Sequence, residues 1–278
     1  MSTDELRRAA FGDLPALAPE ALATAGSPRS RLLAAIVLGA QGCYAAAATV
    51  LGELGRGPDP VLASLALSTF ASHRRQLGGH AAALGPDGMA LKLVTDVRGQ
   101  PDPDALDVEG ARVDALLGLA ADNLGLGRLA VARRLVARAE PENWRSRVRT
   151  GWVTAEIELA SGNAEAALEP AEQALKLATE TGALRHITKS QLVLAAALGA
   201  TGEPLARPRV GLLVEEALGV SDRFDLRSLS WPAGLLAAEF GPACDRYRSR
   251  VDAVLHAVLR RSDPDGRRLA DESPWVPG

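Results

Sequence analysis

Small residues recur at fixed offsets from glycine along this chain, and few folds satisfy that pattern. Seven residues before Gly127 and five, nine and twelve after it stand Ala120, Ala132, Val136 and Ala139. The same places around Gly162 hold Ala155, Ala167, Ala171 and Ala174, and around Gly42 they hold Ala35, Ala47, Leu51 and Leu54. Glycine ends a helix in the left-handed conformation without a Cβ penalty. Alanines at helical spacing on either side let two helix axes approach closely. The pattern therefore predicts antiparallel helix hairpins stacked in chain order. Looser versions centre on Gly79, with Ser72 behind and Leu84, Gly88 and Leu91 ahead, and on Gly202. Pro86 is expected to delay the second helix of the Gly79 unit to Gly85–Gly88, since proline suits a first helical turn. Pro204 and Pro208 lengthen the turn after Gly202.

The best-formed units, Leu119-Ala120…Gly127…Ala132…Val136…Ala139 and Ala155…Gly162…Ala167…Ala171…Ala174-Leu175, resemble the tetratricopeptide repeat. They depart from it at Asn123 and Glu158, where that family usually has an aromatic residue. The resemblance implies an all-α chain: a right-handed α-solenoid of about five such hairpins. It also implies that the first helix of each pair lines a concave surface where peptides bind. Stacked repeats need capping at both ends. The expected organisation is an N-terminal helical cap over 1–28, repeats over 29–220, a C-terminal capping helix pair over 221–262, and an extended or disordered tail over 263–278. The loop at 96–104, rich in Asp, Pro and Gly, is the expected hinge.

Composition supports helix and excludes several functions. Hydrophobic residues make up 47% and charged residues 23%, so the chain can fold, while only 4% are aromatic, so strand formers are scarce. A net charge of −3 supplies no global field toward nucleic acid or an anionic membrane. Residues 32–52 carry no charge, but Gln41 and Gly42 stand at the middle of the run, where a spanning helix needs large apolar side chains. No membrane association is expected, and an N-terminus without an apolar core segment points to the cytoplasm. Cys43 and Cys244 are far apart in sequence and match no metal-ligand spacing, which fits a reducing compartment. His73, His80, His186 and His256 form no ligand pair, so neither metal nor cofactor is expected. The run Gly125-Leu126-Gly127-Arg128-Leu129-Ala130 matches a dinucleotide-binding pattern, yet residues 114–122 before it read as helix rather than the strand that motif needs. No nucleophile elbow or phosphate-binding lysine loop occurs, and the chain is expected to be non-enzymatic.

Two sets of residues are candidates for partner contact. Counting back from the turn glycines places His73, Thr69, Asp114, Arg149, Trp152, Glu156 and Lys189 on the inward face of the first helices. Arg149, Trp152 and Glu156 share one helical face, and a tryptophan beside charges is a common binding hot spot. Separately, Arg128, Arg133, Arg134, Arg138, Arg145, Arg147 and Arg149 stand against only Glu140 and Glu142 between 128 and 149, a local charge of +5. Arg134 and Arg138 lie one turn apart on an outer face. The leading expectation is an adaptor or regulatory module that accepts a peptide or helix of another protein in its concave groove. The alternative is a binder of nucleic acid or an acidic surface through the arginine strip, and the third reading is an enzyme on a helical scaffold.

Overall fold

The computed structural model describes residues 2–15, 17–18, 22–241 and 244–277. The chain is all-helical, with no strand among the described residues. The helices are α1 (Thr3–Phe11), α2 (Pro28–Ala40), α3 (Tyr44–Leu54), α4 (Pro60–Gln76), α5 (His80–Leu93), α6 (Val108–Gly125) and α7 (Leu129–Arg138). They continue with α8 (Trp144–Ala160), α9 (Ala164–Glu180), α10 (Leu184–Ala200), α11 (Arg207–Arg223), α12 (Arg227–Phe240), α13 (Cys244–Arg260) and α14 (Pro264–Asp271). The expected N-terminal cap over 1–28 lies partly outside the described residues.

Local chemistry starts and stops these helices. Ser2, Ser27, Asp59, Asp107, Asn143 and Asp263 each accept a hydrogen bond from a first-turn N–H, and each such cap contributes about 1 kcal/mol. Gly42, Gly78, Gly127, Gly162, Gly182 and Gly202 all adopt φ between 66° and 76°, the left-handed conformation that ends a helix. Of the twelve positions expected around Gly42, Gly127 and Gly162, all but Val136 are buried.

One unit corrects the expected register. Its turn glycine is Gly78, and Gly79 precedes α5 with an ordinary negative φ. Shifted by one residue, the offsets fall on Ala71, Ala83, Asp87 and Ala90, all of them fully buried. Pro86 lies inside α5 instead of opening it, because the helix already starts at His80. The backbone bond lost at proline is outweighed by the burial of Ala83 and Ala90.

From α1 to α13 each helix packs on its neighbours in sequence, and α2, α4, α6, α8, α10 and α12 also pack on one another in succession. The ends then meet. Helix α1 packs against both α2 and α10, with the Leu184 N–H donating to the Gly12 carbonyl at 3.0 Å, and α12 touches α2. At the other end, the Ala45 N–H donates to the Arg261 carbonyl at 2.8 Å, and Arg74 binds Asp263 at 2.9 Å. The segment expected to be an extended or disordered tail forms α14, and Tyr44, Leu77, Leu255, Val258, Ala270 and Val276 share one apolar cluster. Sequence polarity concealed this, because α14 buries only a narrow stripe, Gly266 and Ala270.

The expected hinge at 96–104 is held by side chains instead. Asp102 accepts from Arg29 and from the Asp104 and Leu106 N–H groups, and Arg7 binds the buried Asp104. No helix among the described residues is long and apolar enough to cross a membrane, and the uncharged run divides at Gln41–Gly42 into α2 and α3.

Candidate functional site

Several first helices aim polar side chains at one interior point. Helix α8 supplies Arg145 and Arg149, α6 supplies Asp114, α10 supplies Arg185, and α4 supplies Thr69 and His73. Phe11 of α1 and Leu32, Ile36 and Gly39 of α2 close the chamber, whose volume is about 50 Å³. Arg145 donates to the carbonyls of Asp104 (2.7 Å) and Ala105 (3.0 Å) and to Asp114 Oδ2 (2.9 Å). Arg149 Nε lies 3.0 Å from Asp114 Oδ1. Arg185 makes no hydrogen bond or ion pair among the described residues, and its Nε is shut off from solvent.

Three guanidinium groups thus face a single carboxylate. Burial, followed by the charges of Arg149 and Arg145, lowers the pKa of Arg185 to about 10, still far above neutrality. Burial also lowers that of Arg149. His73 is held down to about 3 by burial and by Arg185, and His186 well below its usual value by burial and the same arginines. Both imidazoles are neutral at pH 7, so the excess positive charge resides on arginine alone. His73 fits because Gly39 has no side chain: a Cβ there would stand 2.0 Å from His73 Nε2.

A second network lies further along α4. Arg75 donates to Asp87 of α5 and, at 2.8 Å, to Asp122 of α6, and both carboxylates are fully buried. Gly118 admits Asp87, whose Oδ2 would lie 2.3 Å from a Cβ at that position. Asp87 Oδ1 and Asp122 Oδ2 each lack a donor. Burial, opposed by Arg75 and reinforced by the charge of Asp87, pushes the pKa of Asp122 up to about 7. One proton shared between the two carboxyls satisfies both bare oxygens and leaves the network neutral.

Asp122 holds its proton more tightly folded than unfolded, so its contribution is complete below the unfolded value of 3.8 and is lost as pH rises through about 7. The depressed histidines act oppositely, losing stability as pH falls below their unfolded value of 6.5. Comparison with Asp122→Asn cancels them. Wild type is expected to lose more stability than this variant between pH 5 and pH 8 in urea melts, and parallel pH profiles would reject the shared proton.

The seven candidates expected to face inward lie on α4, α6, α8 and α10. Thr69, His73, Asp114 and Arg149 line the chamber. Trp152, Glu156 and Lys189 lie beside it: Trp152 stacks on His186 at 5.4 Å and donates to Ser190 Oγ at 2.8 Å, while Lys189 binds Glu156 at 2.7 Å. Thr69 Oγ1 donates to the Leu65 carbonyl of its own helix. No protein-family model matches the chain, and no curated protein matches its sequence. Among the described residues, no group of three or more His, Cys, Asp or Glu is placed to hold a metal ion.

The arginine strip does not form one surface. Arg145 and Arg149, four residues apart, point inward, whereas Arg147 lies on the opposite face of α8 and is exposed. Arg133 binds Glu158 and Ser161 Oγ. Arg128, Arg134 and Arg138 remain exposed. Sequence reasoning missed Arg75, Asp87, Asp122, Arg185 and His186. Asp87 was within reach, since the corrected register puts it where the other units carry Leu51, Val136 and Ala171, and a charge there demands a partner.

Proposed function

We propose that this protein is a non-enzymatic interaction module, an α-solenoid of tetratricopeptide-like hairpins whose inward face accepts a peptide or helix of a partner protein. The observation that carries this reading is that a helix already lies there. Helix α1 buries Leu6, Ala9, Ala10 and Phe11 and exposes its polar face. Phe11 meets His186 at 6.2 Å, and the Arg145 guanidinium lies 5.4 Å above its ring. A face that packs against an amphipathic helix in this way suits helix-in-groove recognition. Beyond α1 the same face continues through Trp152, Glu156 and Lys189, all half-buried and therefore open to a partner.

Cross-linked pull-downs with wild type and Glu156→Ala/Lys189→Ala test the reading. This pair is partly exposed and contributes at most about 1 kcal/mol, so the variant keeps its fold. Selective loss of one or more partners is expected, and identical partner lists would remove this face from the account. The nucleic-acid reading retains Arg128, Arg134, Arg138 and Arg147, but loses the inward Arg145 and Arg149. It requires affinity for an oligonucleotide that falls steeply with salt.

A further inference from the structure

We propose that the interior chamber is a binding site for a small tetrahedral oxyanion of the phosphate type. Arg145, Arg149 and Arg185 converge on one cavity, and among the described residues only Asp114 pairs with any of them. A buried guanidinium without a counter-ion costs several kcal/mol, and folds do not carry that cost without compensation. Arg185 comes nearest to such a group: it is half-buried, its Nε is shut off from solvent without an acceptor, and its neighbours Tyr44, His73, Arg145 and Arg149 include no anion at neutral pH. The excess of two positive charges over Asp114 matches a dianion.

Donor geometry and size point the same way. Arg185 Nε is buried with no hydrogen-bond acceptor, Arg149 is paired among the described residues only with Asp114 through its Nε, and His73 Nδ1 is unused. All three residues line the same space, with Ser72 and Gln76 beside them. A cavity needs about 10–15 Å³ by this measure to hold one water. The chamber of about 50 Å³ therefore takes a few water-sized groups, as a phosphate or sulfate ion presents, and excludes a nucleoside. Asp114 would repel an anion, but Arg145 and Arg149 already occupy its two oxygens. The Arg75 network adds no negative field when Asp87 and Asp122 share a proton. This inference does not depend on the partner-binding reading, because the site is internal and needs no second protein.

The test uses the full chain. Thermal melts and isothermal titration with inorganic phosphate, at ionic strength matched with chloride, should show a saturable rise in Tm and binding of one ion per chain. Arg185→Gln should weaken that binding by about 10- to 100-fold, the worth of a charge-assisted hydrogen bond. Arg134→Gln, on the surface, should leave it unchanged. Should Arg185→Gln fail to fold, phosphate released on denaturing protein purified without added phosphate gives a second readout, expected near one ion per chain. Equal shifts with phosphate and chloride together with no released anion would overturn the proposal, as would undiminished binding in folded Arg185→Gln.

Discussion

Replacing Arg75 with methionine is expected to destabilise the fold by about 3–5 kcal/mol, the range for removing one partner of a buried ion cluster. Arg75 is the cation that meets both Asp87 and Asp122, and both carboxylates are fully shielded from water. Methionine fills much of the space of the arginine stem but leaves two buried acids facing each other. A domain is typically stable by only about 5–15 kcal/mol, so a shift of this size is plain in a urea melt. Two further results are specific to the mechanism. Lowering the pH toward 4 should recover part of the loss, because protonation neutralises the stranded carboxyls. Adding Asp87→Asn and Asp122→Asn to Arg75→Met should recover more. A loss below about 1 kcal/mol, the scale of a surface pair, would mean that the cluster is far more hydrated than its geometry implies.

Arg145→Met should cost a similar amount, again about 3–5 kcal/mol, for a different reason. Arg145 serves the carbonyls of Asp104 and Ala105 as well as Asp114. Ala105 has φ of 57°, is fully buried and follows an Asp whose side chain is held by Arg7. The arginine therefore pins an uncommon backbone conformation from one side while charging the chamber from the other. Without it, two buried carbonyls and Asp114 Oδ2 lose their donor. Amide exchange over 99–107 should accelerate along with the drop in stability, since that loop loses its tie to α8. Arg145→Lys should rescue little, because an ammonium cannot reproduce the planar fork. Unchanged exchange in this loop would show that Arg7, Arg29 and Asp102 hold it by themselves.

The repeats were legible because their cause is local. Gly42, Gly127 and Gly162 turn where the offsets place them, and their alanines are buried as close helix contact requires. The slip from Gly78 to Gly79 shows the limit of that signal: with two adjacent glycines, spacing alone does not say which takes the positive φ. The inward face was legible to the extent that Thr69, His73, Asp114 and Arg149 meet at one place. Arg145 reads as part of a surface strip because a run of arginines looks solvated until its helix is oriented. The order of the C-terminal segment is hidden for a related reason, since Arg74 and Asp263, 189 residues apart, have no local signature.

Helix content, turn positions and the small-residue contacts follow from the chain alone, because propensity, capping and glycine conformation act within a few residues of one another. Tertiary structure decided which charges are buried and whom they meet. Arg75 finds Asp122 across 47 residues and Arg145 finds Asp114 across 31. It also decided that the chain's ends meet and that α1 covers the inner face. A buried charge is set by the low-dielectric surroundings that many distant segments build together, and no short window of sequence contains them.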